Sequence, residues 1–424
     1  MTSFGVRDEI STEDWTNLPF DEAVLINPKV TLKKGVTYPF VEMANIDSTS
    51  RIVQTLEKKV YNGGGSKFED GDTLMARITP CLENGKISRY KSNINDSDIG
   101  FGSTEFIVIR GREGVTDNNF AYYLTTWSEF RNFSIGQMNG SSGRQRVPTS
   151  SLSKFIVKLP PLPVQKKIAA ILSSLDDKIE QNTRMNKVLE EIARALFQRW
   201  FVEFEFPNAE GKPYKSAGGK MVGSEMGSVP EGWKVNTLDT VVDIIGGGTP
   251  KTSVSEYWNG TIPWFSVIDA PNDGDIFVID TEKHITQLGI ENSSTRLLPV
   301  GTTIISARGT VGKCAVVSVP MTMNQSCYGI RGKEEGIDYF VYFTIRGMVS
   351  ELQSKGHGSV FNTITRDTIN SQMIVVPDVS VMKNYNDYVT PLLQKIQTNL
   401  TENRHLSELR DGLLPKLMSG EVEV

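Results

Sequence analysis

Cysteine and histidine are both scarce in this chain, three of each among 424 residues, and their scarcity removes several kinds of chemistry. Cys81, Cys314 and Cys327 are odd in number and lack C-x-x-C spacing, which excludes a disulfide framework or zinc-thiolate site and leaves them as small core residues. His284, His357 and His405 lie far apart, so neither a metal site nor a nucleophile-histidine relay has its parts. No segment approaches the roughly 20 apolar residues of a membrane span, and Met1 to Ile10 carries Arg7, Asp8 and Glu9 rather than an apolar leader. A cytoplasmic protein is expected. Gly247-Gly-Thr-Pro-Lys-Thr252 is not a phosphate loop, because Pro250 stands where the glycine before the lysine must be. Asp47 with Glu57-Lys-Lys59 reads as solvated charge rather than a nuclease, and Leu159-Pro-Pro-Leu162 lacks the amide and aromatic of an amino-methyltransferase tetrad. No catalytic residue, metal or cofactor is expected in the chain itself.

What is present is an ordinary globular balance, 38% hydrophobic and 22% charged. A single hydrophobic core stops growing at roughly 250 to 300 residues, so 424 residues require at least two domains. The net charge of −5 argues against uniform coating of nucleic acid but leaves room for a local basic face.

The chain is written twice. Leu152 to Pro160 aligns with Ile369 to Pro377 at an offset of 217 residues, the separation of Leu152 and Ile369. The same offset places Lys178-Ile179 on Lys395-Ile396, Asn182 on Asn399, Asn186 on Asn403, Leu189 on Leu406 and Leu196 on Leu413. Upstream, Gly71 to Arg77 resembles Gly301 to Arg308, putting the two arginines at matching positions; Gly85-Lys86 then matches Gly312-Lys313, and Phe101 to Arg110 lies opposite Met323 to Arg331.

Each half therefore reads as a strand-rich globule followed by a long helix that opens after a proline. The predicted division is residues 1–160, a first globule; 161–204, a helix; 205–232, a Gly, Pro and Ser-rich linker; 233–377, a second globule; and 378–424, a second helix. The fold class is α/β, two globular domains with mixed strands joined by two long antiparallel coiled-coil helices in a pseudo-two-fold repeat. From Val164 to about Trp200 there is no Pro or Gly, and Leu172, Leu175, Ile179, Leu189 and Leu196 mark an apolar seam. The predicted helix interface is Leu175, Ile179, Asn182, Asn186, Leu189 and Leu196 against Ile396, Asn399, Asn403, Leu406 and Leu413. Its asparagines either bond across the seam, since an unpaired buried amide costs about 1–3 kcal/mol, or face solvent on an isolated amphipathic helix. At about 1.5 Å per residue the first helix spans roughly 55 Å, against roughly 34 Å for one duplex turn, so a pair of them could act as a ruler.

Val229 to Leu238, Ile244-Ile-Gly-Gly-Gly-Thr-Pro250 and Glu256-Tyr-Trp-Asn-Gly-Thr-Ile-Pro-Trp264 resemble the opening of a type I target-recognition domain. Leu159 to Ile168 and Leu409 to Gly420 resemble the helical conserved regions of the same family, the specificity subunits of type I restriction-modification systems. The first domain has no counterpart of the Gly246 to Pro250 run at its start. The resemblance implies a non-catalytic protein that binds double-stranded DNA at a bipartite asymmetric site. It implies two methyltransferase subunits and, in the full complex, restriction and translocase subunits as partners, with S-adenosylmethionine, ATP and Mg in those partners only, and no membrane. A non-catalytic scaffold whose globular domains bind proteins stays open as the alternative.

Base edges are read by side chains with paired donors and acceptors, and glycines let backbone N–H groups approach phosphates. In the first domain these criteria select Gly64, Ser66, Lys67, Arg77, Lys86, Ser142, Arg144, Gln145 and Arg146, with the Ser141 to Arg146 loop foremost. In the second they select Gly248, Thr249, Lys251, Arg308, Lys313, Asn324, Gln325, His357 and Ser359. The competing reading is of hairpin turns that meet only water, and of Arg77 and Arg308 bonding carbonyls beneath a sheet.

Overall fold

A computed structural model describes residues 14–93, 96–141, 143–272, 274–355 and 363–424. It divides into two compact units, the chain up to Glu180 with His405–Val424, and Gln181–Arg404.

In the first unit, β1 (Thr16–Pro19), α1 (Phe20–Ala23), β2 (Val24–Ile26), β3 (Thr37–Val41), β4 (Ile52–Val53) and β5 (Lys58–Val60) are followed by β6 (Ser66–Glu69), β7 (Thr73–Ala76), β8 (Ile87–Tyr90), β9 (Ile99–Gly102) and β10 (Phe106–Gly111). Then come α2 (Asn118–Thr126), α3 (Ser128–Gly136), β11 (Ile156–Leu159) and α4 (Leu162–Phe197), the last shared between the units. The larger sheet has the order β2-β10-β7-β8-β4. Its central strands read Thr-Leu-Met-Ala and Phe-Ile-Val-Ile, continuous runs suited to burial on both faces. Asp117 caps α2 by accepting from the Asn119 and Phe120 amides. Phe20 stacks on Phe130, ring centroids 4.2 Å apart, inside this core.

The second unit repeats the topology. Its strands are β12 (Met221–Ser224), β13 (Gly227–Pro230), β14 (Lys234–Thr237), β15 (Val242–Gly246), β16 (Trp258–Phe265), β17 (Phe277–Val278), β18 (His284–Ile285), β19 (Thr303–Ser306), β20 (Cys314–Val317), β21 (Thr322–Met323), β22 (Cys327–Gly332) and β23 (Met373–Val376). Its helices are α5 (Gln287–Glu291), α6 (Asp338–Lys355), α7 (Arg366–Asn370) and, shared with the first unit, α8 (Val379–Ser419). The sheet order β15-β22-β19-β20-β17 matches the first unit strand for strand, including a parallel last pair in both. Three strands of the smaller sheets match too, β3 running parallel to β9 and antiparallel to β5 as β16 does to β21 and β18, while β6 adds a fourth strand against β9 in the first unit.

Within the second unit the long helices pair antiparallel. Asn182 Nδ2 donates to Asn403 Oδ1 at 2.9 Å, Asn399 Nδ2 to Asn186 Oδ1 at 2.8 Å, and Tyr385 Oη to Ala193 O at 2.9 Å, so one set of numbers rises as the other falls. The two amide bonds exchange under the 217-residue offset. Ile396 is fully buried, and Leu189 and Leu196 pack against the same core. Leu175, Ile179 and Leu406 are half-buried, and Leu413 packs on the core of the first unit. Residues 205–232 contain the β12-β13 hairpin, and Phe206 there stacks between Tyr214 and Trp233. Among the described residues no helix is long and apolar enough to cross a membrane, and no cluster of three His, Cys, Asp or Glu could hold a metal ion.

Candidate nucleic-acid interface

Each unit has a tight polar turn, leading into β10 in the first and β22 in the second. In the first, β9 runs into the turn Ser103-Thr104-Glu105, anchored on every side. Ser103 N donates to Val41 O at 3.1 Å, Phe106 N to Ser103 O at 3.3 Å and Arg77 N to Glu105 O at 2.9 Å, while Ser103 Oγ accepts from the Glu105 amide at 3.2 Å. Beside it lie Gly65, Arg77 to Thr79 and Gln145 to Val147, the last two stretches joined by Thr79 N to Gln145 O and Val147 N to Arg77 O.

Arg146 turns part of its guanidinium into this cluster. Nε and Nη2 grip the Glu105 carboxylate at 3.0 and 2.7 Å, and Nη1 reaches Arg144 O. Arg144 is exposed and Gln145 half-buried. Arg77 donates through Nη2 to Val147 O at 2.9 Å, a carbonyl partner within the fold. Lys86 Nζ donates to Met43 O and Ser66 Oγ to Phe106 O, whereas Gly64 is exposed and the Lys67 ammonium lies 5.4 Å from the Tyr61 ring. Ser142, His357 and Ser359 lie outside the described residues.

In the second unit the equivalent turn is Asn324-Gln325-Ser326. Asn324 N donates to Phe265 O, Cys327 N to Asn324 O, Ala307 N to Ser326 O, and Asn324 Oδ1 accepts from the Ser326 amide at 3.0 Å. Gln325 at its apex is exposed, and Thr249 Oγ1 donates to Gln325 Oε1. The loop carrying Thr249 is tied to two indoles: Trp264 Nε1 donates to Gly248 O at 2.9 Å and Trp258 Nε1 to Lys251 O at 3.2 Å. Lys251, Arg308 and Lys313 are exposed.

Two expectations are corrected. Strand pairing sets Ala76 opposite Phe106 and Ser306 opposite Cys327, so Arg77 matches Ala307, and Arg308 matches Ile78. The arginines are therefore one residue out of register. The missing glycine run also has a counterpart, in space rather than in order. A Cβ on Gly65 would stand 2.6 Å from Gly102 O, and one on Gly247 would stand 1.9 Å from Asn324 O, just beyond the matching strand residue Met323. Gly247→Ala should accordingly cost the second unit about 1–3 kcal/mol, read as a lower urea midpoint; an unchanged midpoint would mean the loop yields freely. Of the cysteines only Cys327 is fully buried, and burial pushes the Cys314 and Cys327 thiols up to about 12, leaving them protonated at neutral pH.

Residues 23–191 and 230–407 each match the type I restriction modification DNA specificity domain. The chain belongs to this family. The specificity protein is 27% identical over 407 residues to the type I restriction enzyme HindI specificity subunit of Haemophilus influenzae, covering 84% of this chain and 87% of that one. It is also 27% identical over 320 residues to the MjaIX specificity subunit of Methanocaldococcus jannaschii, covering 74% and 71%. The crystal structure of the S subunit of the type I system from M. genitalium shares the fold, with TM-score 0.55, 14% identity and 98% of each chain covered. The expected non-catalytic specificity subunit with two target-recognition domains agrees with this family membership. The sequence reading missed Thr104, and it took Trp258 and Trp264 only as part of a resemblance. Their role depends on which carbonyls the indoles meet, and spacing does not reveal that.

Proposed function

We propose that each unit of this specificity protein reads one half of a bipartite, asymmetric DNA site, and that the long helices recruit two methyltransferase subunits, with restriction subunits joining in the full complex. One observation supports this reading: the same rigid turn recurs in both units with different side chains, Thr104 beside the Arg146–Glu105 pair in one and Gln325 beside Thr249 in the other. Equivalent frames with different exposed groups suit two different half-sites. S-adenosylmethionine, ATP and Mg belong to the partners in this reading. Sequencing host DNA for methylated bases with and without the gene, partners expressed, tests it. Methylation at a split asymmetric motif should vanish with the gene. Unchanged methylation would favour a protein-binding scaffold.

A further inference from the structure

The two turn apexes share more than topology. Both are fixed by the same set of backbone bonds, both place one exposed side chain at the centre, and both are flanked by a glycine run at the end of the matching strand. The glycine runs come from different places in the chain, one after β5 and the other after β15, so simple duplication of the sequence does not account for their shared location. A glycine there leaves no side chain over the apex, keeping its flank low enough for a broad surface such as a duplex groove to approach.

Resting on the reading above, we infer that Thr104 and Gln325 are paired specificity-determining residues, each reading one base pair in its own half-site. Gln325 offers an acceptor and two donors, the set that pairs with adenine N7 and N6. The Thr249 hydroxyl, bound to Gln325 Oε1, fixes which way the carboxamide faces and so acts as a positioning residue. Thr104 presents one hydroxyl and one methyl, suited to a thymine methyl or a single polar edge. Both side chains project from the surface, so their replacement leaves the core intact.

The test is the methylated motif written in cells by the full chain with its methyltransferase. Gln325→Ala should relax one adenine-containing base pair in one half of the motif, with discrimination falling about 5- to 150-fold, and leave the other half unchanged. Thr249→Val should relax the same base pair more weakly. Thr104→Ala should relax one position in the opposite half. An unaltered motif in both the Gln325→Ala and Thr104→Ala variants, or changes in the same half for both, would overturn the assignment while sparing the general reading. A wild-type chain that directs no split motif would overturn both together.

Discussion

Alanine in place of Asp176 should lower the stability of the first unit by about 1–3 kcal/mol, the cost of leaving the buried Tyr123 hydroxyl without its acceptor while Arg410, 23% exposed, keeps Asp411. The Asp176 side chain is only 3% exposed. It accepts from Tyr123 Oη at 2.6 Å and from Arg410 Nη1 at 2.7 Å, so one carboxylate on α4 ties together α2 and the end of α8. Burial, reinforced by the Asp176 charge, holds the Tyr123 phenol far above its ordinary range, and it remains a donor at any physiological pH. Asp176→Asn keeps an acceptor for the tyrosine but loses the charge facing Arg410, and should fall between wild type and alanine. Urea unfolding of the full chain reads the effect. In a Tyr123→Phe background the alanine substitution should cost less, because one stranded donor has already gone. A loss below about 1 kcal/mol would mean that water replaces the carboxylate, and that the trio contributes no more than a surface pair.

The sequence carried the helices further than the loops. A helix keeps its register without insertions, so Asn182 and Asn399, and Asn186 and Asn403, stood at one constant offset, and the structure bonds them crosswise. Hairpins do not keep register. The bond closing the β7-β8 hairpin joins Ala76 to Lys86 and that closing β19-β20 joins Ser306 to Lys313, so the loops differ in length, and Arg77 and Arg308 looked equivalent although Arg77 stands opposite Ala307. Loop composition identified Arg146 as rich in donors, yet Glu105, 41 residues away, takes the Nε and one Nη2 donor. Asp176 drew no reading from the sequence, because nothing in its spacing names Tyr123 or Arg410 as its partners. The apexes at Thr104 and Gln325 emerge only when two strands from distant parts of the chain are paired.

Trp264 joins stability to reading, so its two substitutions should separate these roles. Trp264→Ala removes a ring that is 7% exposed and packed edge-to-face on Trp258, centroids 5.1 Å apart, and should cost about 3–5 kcal/mol. Trp264→Phe keeps most of that packing but deletes the indole N–H that holds Gly248 O, a loss of about 1–3 kcal/mol for a carbonyl left unpaired. The consequence for function follows from where that carbonyl sits. It precedes Thr249, whose hydroxyl orients Gln325, so a loosened Gly248 lets the carboxamide turn while the unit stays folded. The phenylalanine variant should therefore unfold in urea earlier than wild type but later than the alanine variant, yet direct a methylation motif relaxed in one half alone. Relaxation of both halves in step would instead trace the defect to assembly with the methyltransferase. An intact motif at reduced stability would show that the indole bond braces the fold and leaves Gln325 untouched.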